Sequence, residues 1–587
     1  MEKLINDITA IRDSGVPNMD GKRIPVDSEL VPEAWDKMLV QYYDHDEILN
    51  GVRYGWDLSF SSEPLPKDST RNHPSALNHE DDVDKYVEKE LQFGSLVGPL
   101  PDNLPFQTFC SPFGSVPKPK TNSSRTITDC SQRTAGINNW IDPHFHRGRE
   151  WHMHLPTGQN IVQDISRARR ENPGKKILLF KIDMSRYYRF FVLCPSQSVY
   201  FCVRWRGKKY LDRVCSFGNR GACLCSQRAS NAIAWIFRTQ VEPRPGVPNS
   251  GRFCRCQQDC ECGDLMCRPY VDDLSVAAPE DFAHYLFGML LAVIKTLGLQ
   301  ASKTPGNIVP PTEIAIVLGV QYNLVENTVS LPPEKLSDTV SLLFIWLDKD
   351  TATKRELKSI IGKLLYCSRV VSPGRLFLGR MLETERRAIR LDAPVPLDSN
   401  FRLDCKWWYE NINQWNGISI LEFCPAGVVG VDASKNGIDG KPALGAFNFL
   451  SNQWFKVSVP ESMESWHISD LELLTHIVVA RVWGEQWSGL CITGHTDSEA
   501  AQKFLSSGRS KVDRRLVMGR VFWSLQHRLN FSWKSVFIPG TENILPDAAS
   551  RWSSVSKQKL FWHHCSMLGI SPKESTVHPD HLNWEKF

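Results

Sequence analysis

The run Ile177-Leu178-Leu179-Phe180-Lys181-Ile182 constrains this chain more than any other stretch. Nearly continuous apolar character over that length, closed by Asp183, reads as a buried strand that delivers a carboxylate at its end. A second acid-bearing element follows at Tyr270-Val271-Asp272-Asp273, flanked by Met266 before and by Leu274-Ser275-Val276-Ala277-Ala278 after. Adjacent aspartates repel one another, and near a buried strand end neither stays ionised unless cations offset the desolvation and the repulsion. Oxygen ligands favour hard cations, magnesium among them. Taken alone, Asp272-Asp273 is equally open to reading as an exposed turn with two solvated acids. Asp183, a third acid at another strand end, favours the metal site.

Asp183 followed by Met184-Ser185-Arg186-Tyr187-Tyr188, and then the Asp-Asp hairpin, resembles the palm of a reverse transcriptase. The resemblance implies a right-hand polymerase of fingers, palm and thumb. Two Mg2+ ions, with Mn2+ as a substitute, would be held by Asp183, Asp272 and Asp273. The chemistry implied is in-line phosphoryl transfer between ions about 3.5–4 Å apart, one activating the primer hydroxyl and the other steadying pyrophosphate. Tyr188 falls where the family has its steric gate against a ribose 2′-hydroxyl; a core tyrosine is the alternative. Phe217-Gly218, with Gly221 and the helical stretch from Gln227 to Phe237, resembles the nucleotide-pocket segment. There Gly218 permits close backbone approach, although Cys215-Ser216 stands where the family more often has a leucine-proline pair. Lys303, after Leu297-Gly298-Leu299, occupies the place of the lysine that protonates departing pyrophosphate, with a solvated lysine as the other reading.

Upstream, Ser115-Val116-Pro117-Lys118-Pro119-Lys120 and Arg125-Thr126-Ile127-Thr128-Asp129 read as a hairpin whose cations point one way. By the resemblance, Lys118 and Arg125 hold the phosphates of a deoxynucleoside triphosphate, and Asp129 supports Arg125. An ordinary basic surface is the alternative. Downstream, Thr353 with Glu356 forms a capping box, and Leu357, Ile360, Ile361, Leu364 and Leu365 follow helical spacing within a segment reaching Arg390. The opposite face carries Lys354, Arg355, Lys358, Lys363, Arg369, Arg375 and Arg380, which suits a thumb gripping duplex phosphates.

A second set of acids lies further on. Gly427-Val428-Val429-Gly430-Val431-Asp432 reads as a buried strand carrying an acid. Glu472 follows in Leu471-Glu472-Leu473-Leu474, Asp497 ends the strand-like Cys491 to Thr496, and Asp547 sits in Leu545-Pro546-Asp547-Ala548-Ala549. Asp, Glu, Asp, Asp in this order and context resembles ribonuclease H, in which four acids around two Mg2+ ions activate water for phosphodiester hydrolysis. Glu472 has a rival reading, a capping box with Ser469. Many members of that family place a histidine shortly before the last aspartate, whereas Ile538 to Asn543 has none, which implies slower product release. Lys363-Leu364-Leu365, Val370 to Arg375, Trp466-His467-Ile468, Ser506 to Ser510 and Ile538-Pro539-Gly540 resemble the polymerases of DIRS-like and Ngaro-like retrotransposons, which integrate with a tyrosine recombinase.

With 587 residues the chain is too long for one core. The expected division is 1–95, an amino-terminal cap; 96–330, fingers and palm; 331–395, a helical thumb; 396–425, a connection; 426–552, ribonuclease H; and 553–587, a tail. A net charge of only +4 means that any nucleic-acid surface is local. No apolar window spans a membrane, and the polar start argues against a secretory signal. The expected location is therefore the cytoplasm, or the nucleus, with the 17 cysteines reduced. Cys254, Cys256, Cys260, Cys262 and Cys267 are free thiols or a Zn2+ site, their spacing lacking a Cys-x-x-Cys pair. The partners implied are RNA template, DNA primer, RNA–DNA hybrid and deoxynucleoside triphosphates, with an element-encoded recombinase and capsid-like proteins beside them. The rival from another class is a catalytically silent nucleic-acid-binding protein using only the basic groove.

Overall fold

The computed structural model describes residues 1–13, 23–68, 70–118, 123–132, 135–142, 144–146, 149–150, 153–240, 267–371, 373–420, 424–508, 510 and 512–585. Two compact units are present, one of Met1–Leu318 with Tyr322–Glu326, the other of Gly319–Gln321 with Asn327–Phe587. Helices and sheets occur in both, so the chain is a multidomain mixed α/β protein. No described helix is long and apolar enough to cross a membrane.

The first unit is organised by a four-stranded antiparallel sheet in the order Cys267–Tyr270, Asp273–Pro279, Ile177–Asp183, Ile308–Thr312. Ile177–Asp183 is an inner strand, and Ile177, Leu179, Phe180 and Ile182 are all at most 4 % exposed. A strand covered on both faces has no need of polar alternation, which accounts for the nearly continuous apolar run. Helices Gly158–Glu171, Arg220–Gln240 and Glu280–Thr296 pack on this sheet. The amino-terminal residues belong to the same body: Trp35 and Trp56 join its core, the Trp35 indole donates to the Leu297 carbonyl at 3.0 Å, and Arg228 makes a buried two-pronged pair with Asp44.

In the second unit Thr353 and Glu356 form the expected capping box, and Leu357, Ile360, Ile361 and Leu364 are buried. Leu365 is exposed instead, so the apolar stripe is narrower than the spacing implied. The helical segment breaks into Lys354–Cys367, a short Gly374–Leu378 turn that follows Pro373, and Gly379–Arg387. The basic face is partly neutralised: Lys354 pairs with Glu385, Arg355 with Asp392, and Arg380 with Asp404. Asp404, wholly buried on helix Ser399–Asn411, accepts from the Arg380 backbone N–H at 3.0 Å and from Arg520 Nη2 at 3.1 Å. Arg520 comes from helix Asp513–Arg528, so this ion pair ties the helical part to the sheet that follows. Phe377 stacks on Trp407 at 3.7 Å and Trp415 on His527 at 4.2 Å along the same seam.

That sheet has six strands in the order Ser532–Phe537, Leu490–Thr496, Cys424–Ile438, Lys441–Asn448, Gln453–Ser458, Lys573–Glu574. Cys424–Ile438 pairs parallel with Leu490–Thr496 and antiparallel with Lys441–Asn448. Helix Ile468–Trp483 packs on it, and the short helix Ile544–Ser550 lies against Cys424–Ile438 and Lys441–Asn448. Gly445 makes that approach feasible, since a Cβ there would stand 2.3 Å from the Ser550 nitrogen and 2.6 Å from the Pro546 oxygen. The residues beyond Trp552, expected to be a separate tail, complete this fold. Lys573–Glu574 adds the edge strand, Phe561 and Cys565 enter a core with Trp454, and Arg481 Nη1 donates to the carbonyls of Asp580, His581 and Asn583.

Candidate active sites

In the first unit the antiparallel register sets Asp183 directly opposite Asp273, and the turn carrying Asp272 is closed by the Met184 N–H donating to the Asp272 carbonyl at 2.8 Å. The turn is strained at Val271, whose φ is +55°, a conformation β-branched residues rarely adopt. Helix Arg220–Gln240 holds it there. Gln227 accepts from the Val271 N–H at 2.8 Å and donates to the Pro269 carbonyl at 3.0 Å, while Ser230 donates to the Val271 carbonyl. Both side chains are fully buried. Sequence reasoning missed them because a polar residue inside a helix carries no periodic signal.

Burial, then the neighbouring Asp272 and Asp273, push the Asp183 carboxyl up to about 6; burial raises Asp272 and Asp273 as well. Asp183 Oδ1 accepts from Asn307 Nδ2 at 3.2 Å. Asp273 is drawn aside. Its Oδ2 pairs with Lys181 at 2.9 Å, and its Oδ1 is buried without a partner. Asp183, Asp272 and Asp273 are not among the described acids whose ligand oxygens all lie within 4.8 Å of one another, and Lys181 holds the third of them.

Around this turn, Tyr188 packs edge-on against Phe217 at 5.2 Å, and the Arg125 guanidinium lies 5.9 Å from the Phe217 ring. Arg125 is outward on the hairpin Phe113–Pro117/Ser124–Thr128, opposite Val116, and the Lys118 N–H donates to Ser123 across its tip. Gly218, at φ +101°, makes its close approach to the Thr128 carbonyl, where a Cβ would stand at 2.4 Å. That contact fixes the Phe217 loop to the hairpin. Asp129 does not serve Arg125: its carboxylate takes His73 at 2.8 Å and the Ser131 N–H. Lys303 is exposed, next to Ser302, whose N–H bonds the Asp183 carbonyl. Of the cysteine group, Cys254, Cys256, Cys260 and Cys262 lie outside the described residues. Cys267 is a buried free thiol, pushed up to about 12 by desolvation.

In the second unit Asp432 sits on the central strand, 2 % exposed, and receives the Ser550 hydroxyl. Glu472 reaches across from helix Ile468–Trp483, its Oε1 accepting the Ala433 N–H at 3.2 Å and its Oε2 left buried without a partner. The capping-box reading of Glu472 is not realised, because His467 caps this helix through the Ser469 N–H. Asp497 follows the strand Leu490–Thr496. Ligand oxygens of Asp432, Glu472 and Asp497 all lie within 4.8 Å of one another. Desolvation is the main cause that raises all three carboxyls; repulsion adds to it, from Asp497 and Asp547 at Asp432, from Asp432 and Asp497 at Glu472, and from Asp547 at Asp497. Asp547 stands outside this group, engaged by Arg551 at 2.7 Å and by Lys557. Three desolvated carboxylates, one with an unpartnered oxygen, are a group that could hold a metal ion.

No protein-family model matches the chain, and no curated protein matches it. Among solved structures it is similar to the foamy viral protease–reverse transcriptase dRH in complex with double-stranded DNA, at 13% identity and TM-score 0.46, over 88% of this chain and 84% of that chain. It is also similar to the foamy viral protease–reverse transcriptase with double-stranded DNA, at 12% identity and TM-score 0.44, over 88% and 99%. The same viral protein with RNA/DNA hybrid gives 12% identity and TM-score 0.45, over 88% and 64%.

The hold on Val271 has a measurable consequence. Gln227→Ala leaves a buried N–H unpaired at a strained turn, a loss of about 1–3 kcal/mol. Thermal unfolding should report that loss.

Proposed function

We propose that the chain is an RNA-directed and DNA-directed DNA polymerase with an attached ribonuclease H, copying a retrotransposon RNA into DNA. The observation that carries this reading is the presence of two independent carboxylate groups, one in each compact unit, the first at the facing ends of two strands and the second bringing three acids within 4.8 Å. Divalent cations, when bound, would supply charge neutralisation at the transferring phosphate and acidify the attacking hydroxyl or water. The residues themselves do the rest. Asp183 and Asp272 present oxygens at the sheet edge, with Gln227 and Ser230 fixing the turn between them and the helix. Asn307 orients Asp183 through its Oδ1. Arg125, Phe217 and Tyr188 form a cation and aromatic wall suited to a triphosphate and a base. In the second unit Ser550 and the Ala433 N–H hold Asp432 and Glu472 in place.

The finer assignments go with the same reading: fingers and palm in the first unit, thumb, connection and ribonuclease H in the second, a DIRS-like or Ngaro-like element as source, a cytoplasmic or nuclear location, and a recombinase and capsid-like proteins as partners. Lys118 remains a proposed phosphate contact, Lys303 a proposed proton donor to departing pyrophosphate, and Asp547 a fourth ribonuclease acid that must leave Arg551 and Lys557 to serve. The silent-binder alternative draws less support, since binding nucleic acid through a basic groove has no use for three buried or half-buried acids brought within 4.8 Å of one another.

Extension of a labelled DNA primer on an RNA template tests the polymerase. Wild type should extend it with Mg2+ and deoxynucleotides, and Asp272→Asn should not; hybrid binding without extension or cleavage under any metal condition refutes the enzyme reading. A pH dependence follows from Asp183. Its carboxyl, raised to about 6, keeps a proton below that pH which a cation must displace. The Mg2+ needed for half-maximal extension is expected to be flat above pH 6 and to rise as pH falls below it. Stability has the matching sign. The contribution of protonated Asp183 is present below the unfolded value of about 4 and is lost as pH rises through about 6. The gain in Tm of Asp183→Asn over wild type in EDTA should therefore grow from pH 4 to pH 7.

A further inference from the structure

Lys181 is the charged residue that interrupts the apolar run, and the run's register explains where it goes. Lys181 lies opposite Ser275, and Asp183 opposite Asp273. Side chains alternate across a strand and paired residues share a face, so Lys181, Asp183, Asp273 and Ser275 all project from one side of the sheet. Val309 of the strand Ile308–Thr312 flanks Lys181 from the other edge. The ammonium reaches diagonally to Asp273 Oδ2 at 2.9 Å, with both side chains only 15 % exposed. Asp183 turns the opposite way, to Asn307.

We propose that Lys181 is the resident counter-ion of Asp273, so that Asp183 and Asp272 build the cation position and the Lys181–Asp273 pair sets how tightly it binds. The inference rests on the polymerase reading of this site and deepens it. Lys181 acts as a positioning residue, one that touches neither substrate nor the reacting atoms. Its charge lowers the attraction of the site for a divalent ion in two ways. It repels the ion directly, and it withdraws one of three negative charges from the set. An ordinary surface ion pair would do neither, because solvent screens it.

The test counts Mn2+ bound to the full chain by electron paramagnetic resonance, in a background carrying Asp432→Asn and Asp497→Asn so that only the first site is read. Lys181→Met is expected to bind Mn2+ about tenfold more tightly than that parent. Lys181→Arg, which keeps the charge, should match the parent. Lys181→Met combined with Asp273→Asn removes the pair as a neutral couple, guards against misfolding of the single variant, and should retain Mn2+ binding. Unchanged or weaker binding by a folded Lys181→Met, or loss of binding in the double variant, overturns the proposal. In the otherwise unaltered chain, the Mg2+ giving half-maximal primer extension should fall about tenfold in Lys181→Met, while that for cleavage of an RNA strand stays put. If wild type extends and Lys181→Met needs the same Mg2+, the inference alone fails. If wild type never extends a primer, the polymerase reading fails, and the counter-ion role is then decided by the Mn2+ data.

Discussion

Asp432→Asn should abolish cleavage of the RNA strand of a hybrid, by on the order of a thousandfold or about 4 kcal/mol of transition-state stabilisation, while primer extension by the same protein continues. The expectation comes from position. Asp432 is the most enclosed acid of its group, on the central strand, with Ser550 donating to it and Glu472 anchored to the next backbone N–H. The same substitution should raise the Tm of the EDTA-treated protein. Burial and the neighbouring acids raise the Asp432 carboxyl, so its ionised form costs stability that a neutral amide does not. With a folded-state value above the unfolded one, that cost appears as pH rises, so the gain in Tm should be larger at pH 8 than at pH 5. Gel assays of both reactions and unfolding curves at the two pH values check it. Loss of extension along with cleavage would mean that Asp432 supports the fold rather than the nuclease chemistry.

The second large effect is structural. Asp404→Asn leaves the Arg520 guanidinium, 4 % exposed, without its carboxylate. Breaking a buried pair by removing one partner costs about 3–5 kcal/mol, whereas replacing both partners by apolar residues of similar volume is often neutral. The denaturation midpoint of the second unit should drop sharply in Asp404→Asn and recover in Asp404→Leu with Arg520→Met. If the double variant unfolds as easily as the single one, Asp404 is needed for its contact with the Arg380 backbone and not for the ion pair.

What was legible in the sequence was whatever one element encodes by itself. The Asp183 strand announces itself because a doubly covered strand is apolar over nearly its whole length, and the Thr353–Glu356 cap because both partners lie within one helical turn. The three acids that come together in the second unit sit on or beside apolar elements for the same reason. What escaped depends on distant partners. Nothing local tells that Gln227 grips the turn at Val271, that Asp404 awaits Arg520, or that Asp129 turns to His73. Glu472 shows the limit most clearly. Ser469 and Glu472 have the spacing of a capping box, yet desolvated contact with the Asp432 strand decides where the carboxylate points. The tail was misjudged because a two-residue edge strand has no pattern to recognise.

That edge strand bears on how the protein is made. A nascent chain that has just passed Asp547 already holds every acid of the second site, but not yet Phe561, the Lys573–Glu574 strand or the carbonyls that Arg481 clasps. Until those residues leave the ribosome, one side of the sheet is open and the Trp454 cluster lacks its cover. The second unit should therefore acquire its order late in translation, and an incompletely synthesised chain should be a target for chaperones and proteases.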